Sequence, residues 1–246
     1  MVLAILQLEL DKVKSQVETF TAGLVSCLCV RSYQQYCAVA KALDVVGDRW
    51  VLLIVRELIT SGPSRYTDLL KGLPGIATNL LADRLREMEK AGIVRREEAP
   101  PPIATTLFHL TERGKALNPI LEDLGRWGAP LMGVPQPNNV FRSHWLVFPF
   151  DAYLADNSPS DPPIAIEIRT GDEPMVVETV EGKVHTRRGT TERPDAVLTG
   201  RPGLILGLLS GRLDMAEARN RGLEFIGSQK ALRRVVGAWG AEGPKT

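Results

Sequence analysis

Hydrophobic residues recur every three or four positions through much of the first half of the chain, which predicts amphipathic helices. A helix, a short helix, a glycine-containing turn and a longer amphipathic helix follow one another at residues 50–58, 66–70, 72–76 and 78–91. Two short strand-like segments at 93–97 and 106–110 then predict a β-hairpin. This order of elements predicts a winged helix-turn-helix, a module that places its second motif helix in the major groove of DNA.

The helix predicted at 78–91 has two distinct faces when it is projected at 100° per residue. Its apolar face, expected to pack on the preceding helices, carries Leu81, Leu85 and Met88. The opposite face carries Asn79, Ala82, Asp83, Arg86 and Lys90. We predict base contacts from Thr78 and Asn79, because the start of this helix enters the groove, and phosphate contacts from Arg86 and Lys90. Asp83 either accepts a hydrogen bond from cytosine or repels DNA. The alternative for the whole face is an ordinary solvated surface.

Three further arginines are candidates for phosphate contacts. Arg95 and Arg96 lie on the first hairpin strand, and Arg65 stands at the start of the short helix. The hairpin tip, residues 99–104, contains three consecutive prolines and no cation. Because such a segment is stiff and extended, we expect this wing to touch DNA by its shape or not at all.

The pattern changes after a Pro-, Asn- and Gly-containing stretch at 133–139, which we interpret as a domain boundary. Alternation with period two predicts a strand at 164–169, and a hairpin follows from 175–181 and 183–187. Another strand at 196–199 and helices at 204–209 and 231–239 complete an α+β pattern. The leucines of 204–209 either line an apolar pocket or fill a core.

The first thirty residues carry apolar residues alternately three and four positions apart, the a/d pattern of a coiled coil. This segment is either a dimerising helix or no part of the natural protein, since bacterial genes also start at codons read internally as valine, and Val30 precedes the recognisable domain. We predict an N-terminal extension over 1–30, a winged helix-turn-helix over 31–133, a linker over 134–140, and a smaller α+β domain over 141–246.

Composition narrows the classes of function. The 246 residues include 30 Lys and Arg against 29 Asp and Glu, a net charge of +1, so any nucleic-acid surface has to be local. Three cysteines suit a reducing cytoplasm better than a disulfide framework, and the three histidines lack metal-ligand spacing. No apolar run approaches the roughly 20 residues of a membrane span. No catalytic arrangement is indicated, so we expect no enzyme, no metal and no cofactor.

Several separated motifs resemble the HxlR family of bacterial winged-helix regulators. They are Cys37 with residues 42–50, then 75–81, 84–89 and 110–114, and the resemblance covers about residues 34–132. It implies a homodimer on an inverted-repeat operator, with dimer contacts from the first helix and from a last helix at 112–132, capped by Thr111. Ala77 departs from the family, which often has a capping serine there, so Thr78 is the alternative cap.

Some members of that family sense oxidants or electrophiles through a cysteine at the position of Cys37. A reactive thiol is partly exposed and near positive charge, and Arg31 and Lys41 are close in sequence. The alternative is a small apolar residue packed at the dimer seam. Cys37 is therefore a redox-sensing candidate.

The second half resembles the sterol-carrier-protein type of lipid-binding domain over about residues 140–240. The similar segments are turns at 181–184, 194–200 and 211–213 and a strand end at 225–228. The resemblance implies an apolar tunnel between sheet and helices. Leu204, Leu208 and Phe225 are the candidates for lining a ligand pocket.

These patterns together predict an α+β protein that acts as a cytoplasmic, homodimeric transcriptional regulator on double-stranded DNA. Its control is expected from an apolar ligand in the second domain or from oxidation of Cys37. The alternative is a lipid or apolar-ligand carrier whose helical half is an assembly module without DNA binding, which the cationless wing tip favours. An enzyme with Cys37 as nucleophile lacks a nearby histidine base.

Overall fold

The computed structural model describes residues 32–100, 105–132, 136 and 138–236. The chain divides into two compact units, residues 1–49 and 50–246. The a/d pattern predicted for the first thirty residues lies outside the described residues, as does residue range 101–104 of the wing tip.

In the first unit, helix α1 spans Ala38–Val46 and follows Cys37, whose backbone is extended. Asp44 in this helix forms hydrogen bonds with the segment that precedes the helix. Its carboxylate accepts hydrogen bonds from the Ser32 hydroxyl at 2.9 Å and from the Tyr33 backbone N–H at 2.8 Å. The bond from Tyr33 is the main reason that the pKa of Asp44 lies below its usual value. The start of the described chain is thus held by polar contacts as well as by the helix.

The second unit begins with helices and a small sheet in the predicted order. The elements are α2 (Val51–Ser61), β1 (Ser64–Arg65), α3 (Tyr66–Gly72), α4 (Thr78–Lys90), β2 (Val94–Ala99) and β3 (Thr105–Leu110). The three strands are antiparallel in the order β1-β3-β2, and Arg95 lies opposite His109 in the hairpin. The prediction of a winged helix-turn-helix arrangement is therefore confirmed.

Burial of apolar side chains explains how α4 is seated. Leu81, Leu85 and Met88 are 0%, 3% and 1% exposed, so the predicted apolar face is the packed one. Ile54 of α2 and Leu69 of α3 are equally buried. Each such side chain contributes roughly 1.5–3 kcal/mol when it is fully removed from water. The same burial leaves the opposite face of α4 directed away from the core.

The prediction of one continuous helix over 112–132 is wrong. The structure has α5 (Glu112–Lys115), α6 (Asn118–Gly128) and a 3-10 turn (Ala129–Leu131) instead. Pro119 stands at the start of α6 and Pro130 in the 3-10 turn. Proline lacks an amide hydrogen and collides with the preceding helical turn, so each of these residues interrupts the helix. Thr111 does cap α5, since its hydroxyl accepts from the Gly114 N–H at 3.1 Å.

The rest of the second unit is a five-stranded sheet with helices. After a 3-10 turn (Ser143–Leu146) come α7 (Val147–Tyr153), β4 (Ala165–Thr170), β5 (Glu173–Val180), β6 (Lys183–Arg188), β7 (Ala196–Thr199), α8 (Pro202–Leu209), α9 (Met215–Asn220), β8 (Glu224–Gly227) and α10 (Gln229–Val235). The strand order is β6-β5-β4-β7-β8, with β4 and β7 parallel and the other neighbours antiparallel. The predicted strands and the predicted helix at 204–209 are confirmed, whereas the sequence pattern predicted neither α7 nor α9. The helix predicted at 231–239 corresponds to α10, which starts earlier and ends at Val235, and residues 237–239 lie outside the described residues.

The apolar core of this half lies against one face of the sheet. Ile166 and Ile168 of β4 belong to it and alternate with Glu167, which points to the other face. Leu204 and Leu208 of α8 close the core from the helical side. Among the described residues, no helix is both long and apolar enough to cross a membrane.

Candidate nucleic-acid interface

The turn between α3 and α4 sets the residue at which α4 begins. Gly75 in this turn has a φ of +89°, in the left-handed region that glycine adopts without strain. Ala77 is the N-cap residue and makes no side-chain cap, and Thr78 is the first helical residue. The interpretation of Thr78 as the cap is therefore wrong, and the helix start is not shifted. The Tyr66 hydroxyl, from α3, donates to the Thr78 carbonyl and ties the two motif helices together.

The first turn of α4 is open to solvent. Thr78 and Asn79 are both exposed, and both precede the buried Leu81. Ala82 on the same side is half-buried. An α-helix leaves its first N–H groups without intrahelical partners, so this end is suited to meeting a polar or anionic surface. The two candidates for base contacts thus stand at the end of the helix that a helix-turn-helix inserts into the groove.

Further along α4, Arg86 is paired within the chain. Its guanidinium binds the carboxylate of Asp83, and its Nε lies 3.4 Å from the Ala82 carbonyl oxygen. Both side chains of the pair are more than half exposed, so the pair adds little stability. Lys90 is exposed and has no ion-pair partner among the described residues. A phosphate that binds Arg86 would have to displace Asp83. The ion pair does not decide whether Asp83 accepts a hydrogen bond from cytosine or repels DNA.

The two wing arginines are also paired with carboxylates. Arg95 Nη1 lies 2.6 Å from Glu97 Oε2, and Arg96 Nη2 lies 2.6 Å from Glu89 Oε2 on α4. The hydrogen bond to Glu89 raises the pKa of Arg96, and the bond from Arg95 lowers the pKa of Glu97. Phosphate groups would have to compete with Glu89 and Glu97 for these guanidinium groups.

Arg65 differs from the other three arginines. It is the N-cap residue of α3, its backbone pairs with Leu107 in the small sheet, and its side chain is exposed. It has no ion-pair partner within the part of the chain that the structure describes. Of the predicted phosphate contacts, Arg65 and Lys90 are thus available without breaking an internal pair. The sequence analysis did not predict the acidic partners of Arg86, Arg95 and Arg96. The three-residue spacing of Asp83 and Arg86 on one helix would have indicated the first of these ion pairs.

Cys37 is a free and exposed thiol at the N-cap position of α1. The nearby backbone N–H groups of Ala40 and then Val39 favour the thiolate and lower the pKa of the Cys37 thiol. A lowered pKa increases the fraction of thiolate, which is the reactive form. Exposure of Cys37 in a single chain fits both a reactive thiol and a residue packed at the dimer seam, so its redox role stays a prediction.

The three pocket candidates lie in or beside the core of the α+β half. Leu204 and Leu208 are 7% and 5% exposed and pack with the other core residues, while Phe225 is half-buried against them. A different cavity, of about 750 Å³, opens beyond the carboxyl ends of β4 and β7 and is lined by polar side chains that include those of Arg169 and Arg201. The role of the three candidates in ligand binding stays a prediction. Within the described ranges, no cluster of three or more His, Cys, Asp or Glu could hold a metal ion.

Comparison with known proteins finds a family match over the part of the chain that contains the helix-turn-helix and its hairpin. The model of a family described as HxlR-like helix-turn-helix matches residues 45–134. The chain is 38% identical over 87 residues to the uncharacterized HTH-type transcriptional regulator YvaP of Bacillus subtilis (strain 168), over 35% of this chain and 80% of YvaP. It is 34% identical over 86 residues to the HTH-type transcriptional regulator YodB of the same organism, over 35% of this chain and 76% of YodB. The structure of the redox regulator HypR in its oxidized form has 33% identity and a TM-score of 0.37, covering 40% of this chain and all of HypR.

Proposed function

Because the chain belongs to the HxlR-like helix-turn-helix family through residues 45–134, we propose that it is a transcriptional regulator that binds a specific double-stranded DNA sequence. The exposed start of α4 is the observation that carries this proposal. Thr78 and Asn79 contact base edges, where an asparagine can pair bidentately with adenine and a threonine methyl can touch a thymine methyl. Arg65 and Lys90 contact phosphates directly, and Arg86, Arg95 and Arg96 do so after exchanging their carboxylate partners.

The proposed active form is a homodimer on an inverted repeat. Helix α6 supports this, because Ile120, Leu124 and Trp127 are 55%, 46% and 72% exposed and lie three or four residues apart. Leu131 and Met132 continue the exposed apolar set beyond the helix. A second copy of the chain is the occupant that such a continuous apolar stripe fits best. Two-fold symmetry would then place the two copies of α4 about 34 Å apart, one turn of DNA.

Two kinds of control fit the proposed regulator. The exposed Cys37 thiol, with its lowered pKa, is suited to reaction with an oxidant or electrophile. The second domain, residues 141–246, is proposed as a sterol-carrier-like module for an apolar ligand or for dimerisation, a role that its five-stranded sheet with helices on the core face supports. A ligand would control DNA binding only if its affinity differed between the competent and incompetent dimers.

A carrier protein without DNA binding is the second candidate function. The observation in its favour is that three of the predicted phosphate contacts, Arg86, Arg95 and Arg96, are engaged by carboxylates of the same chain. Such a protein would bind an apolar ligand in the second domain and would use the helical half for assembly alone. The two functions differ in their response to DNA and to salt.

The test is selection of binding sequences from random and genomic DNA with the purified full chain, followed by titration of the selected site at several salt concentrations. A regulator should yield an inverted repeat and lose affinity steeply with salt, at about 0.9 log units per log unit of salt for each phosphate neutralised. Asn79→Ala should relax base preference at one position of each half-site by about 1–3 kcal/mol, and Arg86→Ala should weaken all sequences alike. Selection that never enriches a sequence would favour the carrier.

A further inference from the structure

A buried polar cluster joins α2 to the 3-10 turn at the entrance of the α+β half. We define it as Glu57, His144 and Trp145. Glu57 and His144 are 2% and 5% exposed. The Nε2 atom of His144 lies 2.7 Å from Oε2 of Glu57, and the Trp145 Nε1–H donates to Oε1 at 2.7 Å. His144 and Trp145, which follow Glu57 in the sequence by 87 and 88 positions, thus share its carboxylate.

The carboxylate of Glu57 is ionised despite its burial. Burial by itself would raise the pKa of Glu57, but the hydrogen bond with His144 and the positive charge of Arg56 outweigh it and lower the pKa below its usual value. The Arg56 guanidinium lies 2.7 Å from the same carboxylate and 4.3 Å from the centre of the Trp145 ring. A buried charge with this many partners cannot lose one of them without a large cost. The cluster therefore opposes the loss of any one of these contacts.

On one side, the cluster touches the end of the first motif helix. A Cβ atom added to Gly72, the last residue of α3, would lie 2.3 Å from Oε2 of Glu57. The Nη2 of Arg142, two residues before His144, also lies 3.5 Å from the carbonyl oxygen of Lys71. Gly72 immediately precedes the turn that sets the start of α4. The cluster thus abuts the segment that positions Thr78 and Asn79.

On the other side, the turn between β4 and β5 forms hydrogen bonds with the start of the same 3-10 segment. Asp172 accepts from the Ser143 N–H at 2.9 Å and from Arg142 Nη1 at 2.9 Å, and its own N–H donates to the Ser143 hydroxyl at 3.0 Å. Gly171 has a φ of +67°, and a Cβ there would lie 2.6 Å from the Ser143 hydroxyl oxygen, so this close fit needs glycine. Several hydrogen bonds and one close contact therefore join the turn to the 3-10 segment.

Glu173, the first residue of β5, extends this set of contacts to His144 and to α2. Oε1 of Glu173 lies 3.6 Å from Nδ1 of His144, and Nε of Arg188 lies 2.7 Å from the same oxygen. The Arg188 Nη1 donates to the Ser61 hydroxyl at the end of α2, at 3.1 Å. Asp172 and Glu173 also line the polar cavity at the ends of β4 and β7. A displacement of this turn would therefore move Ser143, which directly precedes His144, and Glu173, which lies beside its ring.

We propose that Glu57 and His144 are positioning residues for DNA binding, through which the β4–β5 turn of the α+β half fixes the end of α3 and hence the start of α4. The proposal rests on the proposed function and assigns a role that neither the family resemblance nor α4 itself supplies. It makes the α+β half an input to the DNA-binding half through a defined set of polar contacts.

Hydrogen exchange of the full chain without DNA tests the connection directly. Asp172→Asn removes the charge at the far end of the chain of contacts and leaves the buried Glu57 untouched. It should raise the exchange rates of amides in residues 69–77 about tenfold at neutral pH, which is more than the general increase that a lower melting temperature brings to the other helices. His144→Gln should have the same effect at the near end. Arg221→Gln, which breaks the exposed pair with Glu217 in α9, is the matched control and should leave 69–77 unchanged.

The same variants are then titrated with the selected operator. Asp172→Asn and His144→Gln should weaken operator binding about tenfold without changing which bases are preferred, because α4 keeps its side chains. The proposal is overturned if faster exchange is confined to 141–147 and 171–173 while residues 69–77 stay protected. A wild-type chain that binds no DNA would contradict the proposed function, whereas the exchange data would still decide the connection.

Discussion

Two carboxylates of the same unit, Asp83 and Glu57, each bind an arginine and have opposite surroundings. The Asp83 side chain is 52% exposed on α4, whereas that of Glu57 is 3% exposed beneath α3. Water and salt screen the first pair, so another anion can take the place of Asp83 at low cost. The second pair has no solvent to replace a lost partner. The exposed pairs therefore suit exchange with phosphate, and the buried cluster suits holding a fixed geometry.

Removing the buried carboxylate should have the largest effect and tests the contrast between the two pairs most directly. Glu57→Ala leaves the donors of His144 and Trp145 without an acceptor, and we expect a loss of about 3–5 kcal/mol in the free energy of unfolding. Urea denaturation followed by circular dichroism measures it. Asp83→Ala is the matched exposed variant and should change stability by less than about 1 kcal/mol. Equal losses for the two variants would refute the distinction drawn from burial.

A glycine pair tests the packing of α3 against the cluster. Gly72→Ala places a Cβ 2.3 Å from the Glu57 carboxylate and should cost about 1–3 kcal/mol. Gly125→Ala in α6 meets nothing within 4 Å, and we expect it to stabilise the helix by about 0.5–1 kcal/mol. Thermal unfolding of both variants gives the comparison. A harmless Gly72→Ala would mean that the cluster does not press on the end of α3.

Acid sensitivity should depend on Asp172. Burial opposes its ionisation, but hydrogen bonds from the Ser143 N–H and from Arg142 outweigh that and lower its pKa from 3.8 to about 2. Because the folded pKa is below the unfolded one, Asp172 stabilises the fold above about pH 4, and this stabilisation is lost as the pH falls to about 2. The melting temperatures of the wild type and of Asp172→Asn should therefore differ most above pH 4 and converge near pH 2. A gap that is constant with pH would contradict the assignment.

The smallest expected effect concerns an exposed pair. Glu89→Gln frees Arg96 from its carboxylate, and stability should change by no more than about 0.5 kcal/mol. The freed guanidinium should strengthen operator binding and steepen its salt dependence by up to about 0.9 log units per log unit of salt. Glu217→Gln, which frees Arg221 in the α+β half, is the control. If both variants behave as the wild type does, Arg96 is not a phosphate contact.

Local patterns were enough to predict most elements. The spacing of Leu81, Leu85 and Met88 determines both the face that α4 buries and the face it leaves outside, because a helix repeats every 3.6 residues. Alternation around Ile166 and Ile168 likewise predicts β4. Pro119 is also visible in the sequence and marks the break, whereas the prediction of one helix over 112–132 followed the apolar periodicity across it. These are features that depend on neighbours within one or two turns.

The pairing of charges could not be read in the same way. Glu89 and Arg96 meet because the hairpin folds back on α4, and Glu57 meets His144 because the α+β half packs against α2. An isolated glutamate in an apolar helix segment is a weak signal, since nothing nearby in sequence tells which donor will satisfy it. Its burial implies only that some donor must be present.

The sequence by itself determined the helix-turn-helix, the hairpin, the order of the later strands and the residues offered at the start of α4, because each follows from short-range periodicity and turn chemistry. Only the tertiary structure decided which arginines are already engaged, that α6 presents an exposed apolar stripe, and that a carboxylate in α2 is shared with the entrance of the second domain. Those outcomes depend on which distant surfaces exclude water from one another, and that is a property of the folded chain as a whole.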